Sequence, residues 1–333
     1  ETCDARSRWS SMRGLHFFNK QRRFPNIENT IFFTYDEQIQ KLINEKQLII
    51  SDLETTKSIL QKLSYFSLVD NYKDIFTHKP SGKYLHGVTF EEITAFYYFD
   101  EELRILFLKY ILHVEQYLKS MLAYYFCEKH GTQQSAYLSV KNYNCTPKNL
   151  SQINHLITAL VNTISLPSHY RYITHYVKTY DNVPLWITVN ALTFGQISKM
   201  YQYTTSDIRS KISLNFSNIS EIQLHQLIRI LANCRNICAH NECLYSFQIN
   251  EAIPDMPSHK ELKLPQKNGQ YSIGKKDLFA VVIALRYLID TKDFKQFQKE
   301  LNQLILSAFK NCPHLTPQVL FSKMGFPTNW KNI

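Results

Sequence analysis

A chain of 333 residues can bury a sizeable core in one large or two smaller domains, and its 44% hydrophobic and 20% charged composition excludes an intrinsically disordered polypeptide. Of the net charge of +10, +8 falls in residues 1–30 and 249–333, a bias that suits a polyanionic partner and equally suits plain solubility. Seven Cys without regular spacing argue against a disulfide framework and for free thiols in a reducing cytoplasm, and the longest apolar run, Leu278 to Ile289, is 12 residues and interrupted by Arg286, too short to span a bilayer.

Residues 1–32 are polar and basic, with neither helical periodicity nor the apolar core of a secretory signal, and are expected to form a basic extension. The pattern changes at Thr34, a capping residue followed by acids and by apolar positions Ile39, Leu42 and Ile43. A second helix over 52–65 turns Leu53, Ile59, Leu60 and Leu63 inward, and 78–89, with one Pro and two Gly, is a loop. The strongest helix covers 99–126, where Leu103, Leu106, Phe107, Tyr110, Ile111, Val114, Leu118, Met121 and Leu122 recur at three- and four-residue spacing. So wide a stripe marks the centre of a bundle. After a loop at 131–148, helices are expected over 149–164, 168–180, 184–203, 205–216 and 221–239. The Pro- and Lys-rich stretch 250–274 reads as a long connection, and helices over 275–289 and 293–309 precede the tail. The expected fold class is all-α, with a helical domain at 33–248 followed by a C-terminal connection and helical segment at 249–333.

Chemistry concentrates in "LIRILANCRNICAHNECLYSF", residues 227–247. An apolar face of Leu227, Ile230, Leu231 and Cys234 gives way to Arg235, Asn236, His240, Asn241 and Glu242. Histidine can take or give a proton near neutral pH. Arginine can hold a phosphate through two parallel hydrogen bonds, and asparagine can orient either partner. Together they suit cleavage of RNA by attack of the ribose 2′-hydroxyl on the adjacent phosphorus, without a metal-bound water. Five helical residues turn through roughly 140°, so Arg235 and His240 do not share one face of a straight helix. Either the helix ends near Cys238 or the site is shared with a second copy. By spacing alone, capping or core roles for this pair remain the commoner outcome.

"RNICAH" (235–240) resembles the R-N-x-x-x-H form of the HEPN ribonuclease motif, and its surroundings resemble the Abi-like abortive-infection family of the AbiD/AbiF type. The similar segments are "FTYDEQIQKLINEKQLIISD" (33–52), "LSYFSLVDNYKDIF" (63–76), "FDEELRILFLKYILHVEQYLKSMLAYYF" (99–126), "PLWITVNALTFGQISKMY" (184–201) and "MGFPTNW" (324–330). They cover about 33–330 in order. The resemblance implies a HEPN-type helical bundle and a toxin-like endoribonuclease with Arg235, Asn236 and His240 as catalytic residues. It also implies a homodimer whose two motifs converge on one site, since no second R-x(4–6)-H occurs in the chain. A small structured RNA acting as antitoxin is a further partner the resemblance suggests. Where the family commonly carries an acid after Pro-Leu-Trp, this chain has Asn190.

Competing readings of the same residues stand beside this one. Cys234, Cys238, His240 and Cys243 could be zinc ligands, but the paired spacing of zinc sites is absent, and buried free thiols are preferred. No cofactor is expected. Arg171 and His175 in "SHYRYITHY", with Arg229 and Asn241 flanking the motif, are candidate RNA-binding residues; a solvated helix face is at least as good an account of the first two. The clusters "AFYYF" (95–99) and "AYYF" (123–126) are expected to be core rather than base-stacking platforms. Glu115 lies within the central apolar stripe, where a lone carboxylate needs a partner, and Arg235 is a candidate. The alternative to an enzyme is a HEPN-type scaffold that binds RNA or protein without cutting.

Overall fold

The structure is a computed structural model describing residues 32–216 and 219–333. Apart from Phe32, the basic extension expected at 1–32 lies outside the described residues. The helices are α1 (Tyr35–Asn44), α2 (Leu53–Leu63), α3 (Lys73–Phe76), α4 (Phe90–His130), α5 (Gln134–Tyr137), α6 (Leu150–Ile164), α7 (Arg171–Tyr180) and α8 (Leu185–Thr188). They continue as α9 (Phe194–Tyr203), α10 (Ser206–Ser213), α11 (Glu221–Ala239), α12 (Pro257–Glu261), α13 (Leu278–Leu288), α14 (Thr291–Asn311) and α15 (Pro317–Met324). One two-residue hairpin, β1 (Gln266–Lys267) with β2 (Gln270–Tyr271), is the only sheet among the described residues. The fold is all-α, as the periodicity predicts.

Helix α4 is the axis of the molecule. It runs 41 residues, nine earlier and four later than the stripe alone predicts, because Thr89 caps its first turn and Gly131 closes its last. Its N-terminal residues looked less regular because the face they bury is aromatic. Phe96 packs edge-on against Tyr72, Phe76 and Tyr245. Helices α14, α11, α10, α9 and α8 all pack on α4, and α13 bridges α11 and α14. The segment 249–333 is thereby part of the same continuous core as 39–247.

Three local departures from the expected elements have physical causes. The helix expected over 184–203 breaks into α8, a single 3-10 turn (Val189–Ala191) and α9. Thr193 starts a fresh capping box with Gln196, and Leu192 before it is extended. The stretch 250–274 is packed rather than a free connection. Met256, Leu262 and Leu264 are buried in it, and fully buried His259 braces it by accepting from the Met256 N–H at Nδ1 (3.0 Å) and reaching the Gly274 carbonyl through Nε2 (2.8 Å). Helix α15 has too short an apolar pattern to stand out. It is set by Thr316 at its start and Gly325 at its end, where φ is +71° and a Cβ would collide with the Asp277 carboxyl.

Candidate functional site

Helix α11 forms as predicted. Ser220 and Gln223 make a reciprocal capping box, and Leu224, Leu227, Ile228, Ile230, Leu231, Cys234 and Cys238 point into the core. That arrangement fixes what the opposite side carries. Asn233, Asn236 and His240 are exposed and Arg235 is half-buried at the margin. The helix stays intact through Ala239, and the His240 N–H donates to the Asn236 carbonyl at 2.9 Å. The helical offset between Arg235 and His240 is therefore retained. Arg235 turns toward α4, while His240 stands at the helix C-cap.

Arg235 meets the buried carboxylate of Glu115. Its Nε lies 3.7 Å from Glu115 Oε2, close enough for charge attraction and too far for a hydrogen bond. Neither atom has a hydrogen-bond partner among the described residues. The other oxygen of Glu115 is held by Lys119 Nζ at 2.7 Å, one turn further along α4. Glu115, the lone carboxylate expected to seek Arg235, has found two cations. Arg235 is steered by this contact, yet its terminal guanidinium nitrogens make no hydrogen bond to the described residues. They remain a parallel pair of donors of the kind that clasps a phosphate.

The loop beyond His240 is fixed from beneath. Asn241 takes a left-handed conformation (φ 57°), and the Glu242 N–H returns to the Ile237 carbonyl at 3.1 Å, closing the helix. The Leu244 and Tyr245 N–H groups then donate to the fully buried Asp100 carboxylate, Tyr245 at 2.7 Å. Arg104 Nη1 donates to Asp100 Oδ2 at 2.6 Å and to the Glu242 carbonyl at 3.3 Å, and the Tyr72 hydroxyl donates to Asp100 Oδ2 at 2.9 Å. Burial holds the Asp100 carboxyl above the usual carboxylate range, against the opposing pull of Arg104, the two N–H groups and Tyr72. The sequence reading missed this cluster. Its signal was Asp100 and Arg104, opposite charges four apart inside an apolar helix, overshadowed by the stronger stripe around them.

The other candidates separate. Asn236 and Asn241 are exposed beside the motif. Arg229 is engaged in an ion pair with Glu251 instead of facing solvent alone. Arg171 and His175 are exposed on α7, away from the motif in sequence. His175 Nδ1 lies 3.4 Å from the Thr179 hydroxyl, and no carboxylate pairs with Arg171 among the described residues. The aromatic clusters divide: Phe96, Tyr97, Phe99 and Phe126 are core, whereas Tyr98 and Tyr124 are exposed.

The four side chains of the zinc reading do not converge. Cys234 and Cys238 are buried, His240 is exposed, and Cys243 leans toward the Asn71 carbonyl. Burial pushes the Cys243 thiol up to about 11 and the Cys234 thiol upward as well, as expected for unreactive thiols. Among the described residues no three His, Cys, Asp or Glu are grouped to hold a metal, and no helix is long and apolar enough to cross a membrane.

A groove of about 630 Å³ runs from Gln116 and Lys119 on α4 to Trp186 and Asn190. Asn190 stands at the position where the family resemblance implied an acid. Its Nδ2 donates to the Trp186 carbonyl at 2.8 Å and the Ile187 carbonyl at 3.3 Å, two bonds that a carboxylate could not make.

No curated protein and no solved structure matches this chain. Residues 58–246, more than half of it, match a family model described as Abi-like protein, and that span contains the Asp100 cluster, Glu115 and all of α11.

Proposed function

Because the chain belongs to the Abi-like protein family, whose name points to abortive infection and phage defence, we propose that it acts there as an endoribonuclease with half of an active site on each of two identical chains. Arg235 holds the scissile phosphate through its free guanidinium edge. His240 moves the proton, and Asn236 orients the phosphate or the imidazole. One histidine takes the proton of the ribose 2′-hydroxyl, whose oxygen attacks the adjacent phosphorus. The bond from phosphorus to the 5′ oxygen breaks, and a second acid returns a proton to that oxygen. The products are a 2′,3′-cyclic phosphate and a 5′-hydroxyl end, with no water or metal consumed.

The carrying observation is the state of Arg235, drawn to the buried Glu115 at 3.7 Å without a hydrogen bond that would occupy it. The reaction needs a base and an acid, and the motif supplies one exposed histidine. A second copy supplies the other. A small structured RNA that restrains the protein would compete for the same exposed donors, in the cytoplasm where its targets are.

The test incubates the RNA-free wild type, Arg235→Ala and His240→Ala with cellular RNA in the presence of a chelator. Wild type is expected to cut, and each variant to cut about 10²- to 10⁴-fold more slowly, the range for loss of a proton-transfer group. Both variants should keep the wild-type melting temperature, since His240 is exposed and Arg235 is held by a single long contact. A dimeric wild type that leaves all RNA intact defeats the nuclease reading in favour of a binding scaffold. Activity abolished by the chelator alone assigns the chemistry to a metal.

A further inference from the structure

The groove between α4 and α8 has the chemistry of a nucleobase site. Its floor is apolar, with Ala123 and Val189 almost completely buried. Two large aromatic side chains line it yet remain open to solvent, Tyr124 at 63% and Trp186 at 45% exposure. Two exposed rings bordering one apolar groove make a contiguous patch of the kind that marks a binding surface. Gln116 and Asn190 also line this space. The Asn190 Nδ2 is engaged by two backbone carbonyls, and its Oδ1 has no hydrogen-bond partner among the described residues. A volume of about 630 Å³ lies in the range for small-ligand sites and admits a nucleotide.

Two further features fix the kind of occupant. The acid in the lining, Glu128, is neutralised by Lys211 at 2.7 Å, so the groove does not repel an anion. Its other end is cationic. Lys119 lines the groove and bonds one oxygen of Glu115, while Arg235 approaches the second oxygen. The groove thus opens one ion pair away from the phosphate-holding residue. At the α8 end, the Tyr170 hydroxyl reaches the Ala191 carbonyl at 3.4 Å, which brings α7, with exposed Arg171 and Lys178, next to it.

We propose that this groove holds an unpaired base of the RNA strand, stacked on Trp186 and Tyr124, with its phosphate directed toward Lys119 and Arg235. The inference rests on the nuclease reading for the identity of the strand and adds its state: the substrate is single-stranded where it is cut. A base in a duplex cannot reach the groove, because stacking on Trp186 requires leaving its neighbours.

The test uses the full chain with His240→Ala, so that cutting does not obscure binding. It is titrated with a short single-stranded oligoribonucleotide and with the same sequence as a duplex. The single strand is expected to bind more tightly. Adding Trp186→Ala should weaken single-strand binding by about tenfold, the loss expected when one stacking ring is removed. Trp186→Phe should restore most of it. In the otherwise wild-type chain Trp186→Ala should raise KM and leave kcat nearly unchanged. The proposal is overturned if Trp186→Ala and Tyr124→Ala both bind the single strand as tightly as the parent. It is also overturned if Trp186→Ala breaks the dimer while RNA affinity holds, which would make the groove a contact between chains. A wild type that binds through Trp186 but cuts nothing removes the nuclease reading and leaves the groove. A wild type that cuts, with KM indifferent to Trp186, does the reverse.

Discussion

Asp100 receives the Leu244 and Tyr245 N–H groups, the Tyr72 hydroxyl and Arg104 within a site closed to water, and through them it sets where the chain goes after His240. Replacing it by Ala leaves Arg104 charged, buried and unpaired, a change that costs about 3–5 kcal/mol in comparable buried pairs. Urea denaturation of Asp100→Ala should show that loss, and cleavage should fall with it, because the histidine loses its platform. A variant as stable as wild type would mean that water or another acceptor takes over the cluster. A second residue-scale consequence concerns acid. His225, on the first turns of α11, is pushed down to about 4 by burial and then by Arg229, Lys199 and Arg209. A base with a depressed folded pKa stays neutral in the fold while the unfolded chain takes up its proton. Stability therefore falls as pH drops from 6.5 toward 4, by at most about 3 kcal/mol. Asp277, raised to about 6 by burial, works in the opposite sense and is common to both proteins compared. His225→Gln should thus lose less stability than wild type between pH 6.5 and 4.5 in matched urea titrations; parallel curves would show that His225 is not the group responsible.

Two helices carry the candidate site, and they differ in how far the sequence disclosed them. Helix α11 was legible to its ends because Ser220, Gln223 and a clean apolar face speak locally, and the same local reading placed Arg235 and His240 on different flanks. Helix α4 was legible in its middle only. Its early turns bury Phe96 and Tyr97 against Tyr72, and Phe96 also against Tyr245, partners brought in from about 24 residues before and nearly 150 after, so no local period reveals them. The Glu115–Arg235 encounter was foreseeable from electrostatics, since a carboxylate in an apolar stripe must be answered. The Asp100–Arg104 spacing hinted at an ion pair, but the rest of the cluster was not foreseeable, because its other main donors are backbone N–H groups of a distant loop, which every residue type but proline supplies. The groove was hidden for a related reason. Tyr124 falls in a cluster expected to be core, and Trp186 carried no site reading; their exposure beside one groove depends on how α8 packs against α4, which no local pattern discloses.

At the scale of the whole molecule, the proposed half-site per chain requires a surface on which two copies meet, and α4 presents a candidate. Tyr98, Ile105 and Leu112 recur every seven residues at 48%, 56% and 43% exposure, an apolar row along a long helix with the charged Glu102 and Lys109 exposed between them. That is the spacing at which two helices lie along each other. The row ends about one turn before Glu115, the carboxylate beside Arg235. Opposing this is the net charge of +10, which disfavours association of like-charged copies and favours a polyanion such as the proposed RNA. The two associations should therefore respond to salt in opposite directions. Screening strengthens the contact between like-charged chains and weakens binding to phosphates. The combined Ile105→Asp/Leu112→Asp variant should be monomeric by light scattering at every salt concentration and cut RNA at least about 100-fold more slowly, the cost of losing one proton-transfer partner. Its melting temperature should stay within a few degrees of wild type, because neither side chain supports the core. A fully active monomer would show that Arg235 and His240 of one chain suffice, and the row would then need another occupant.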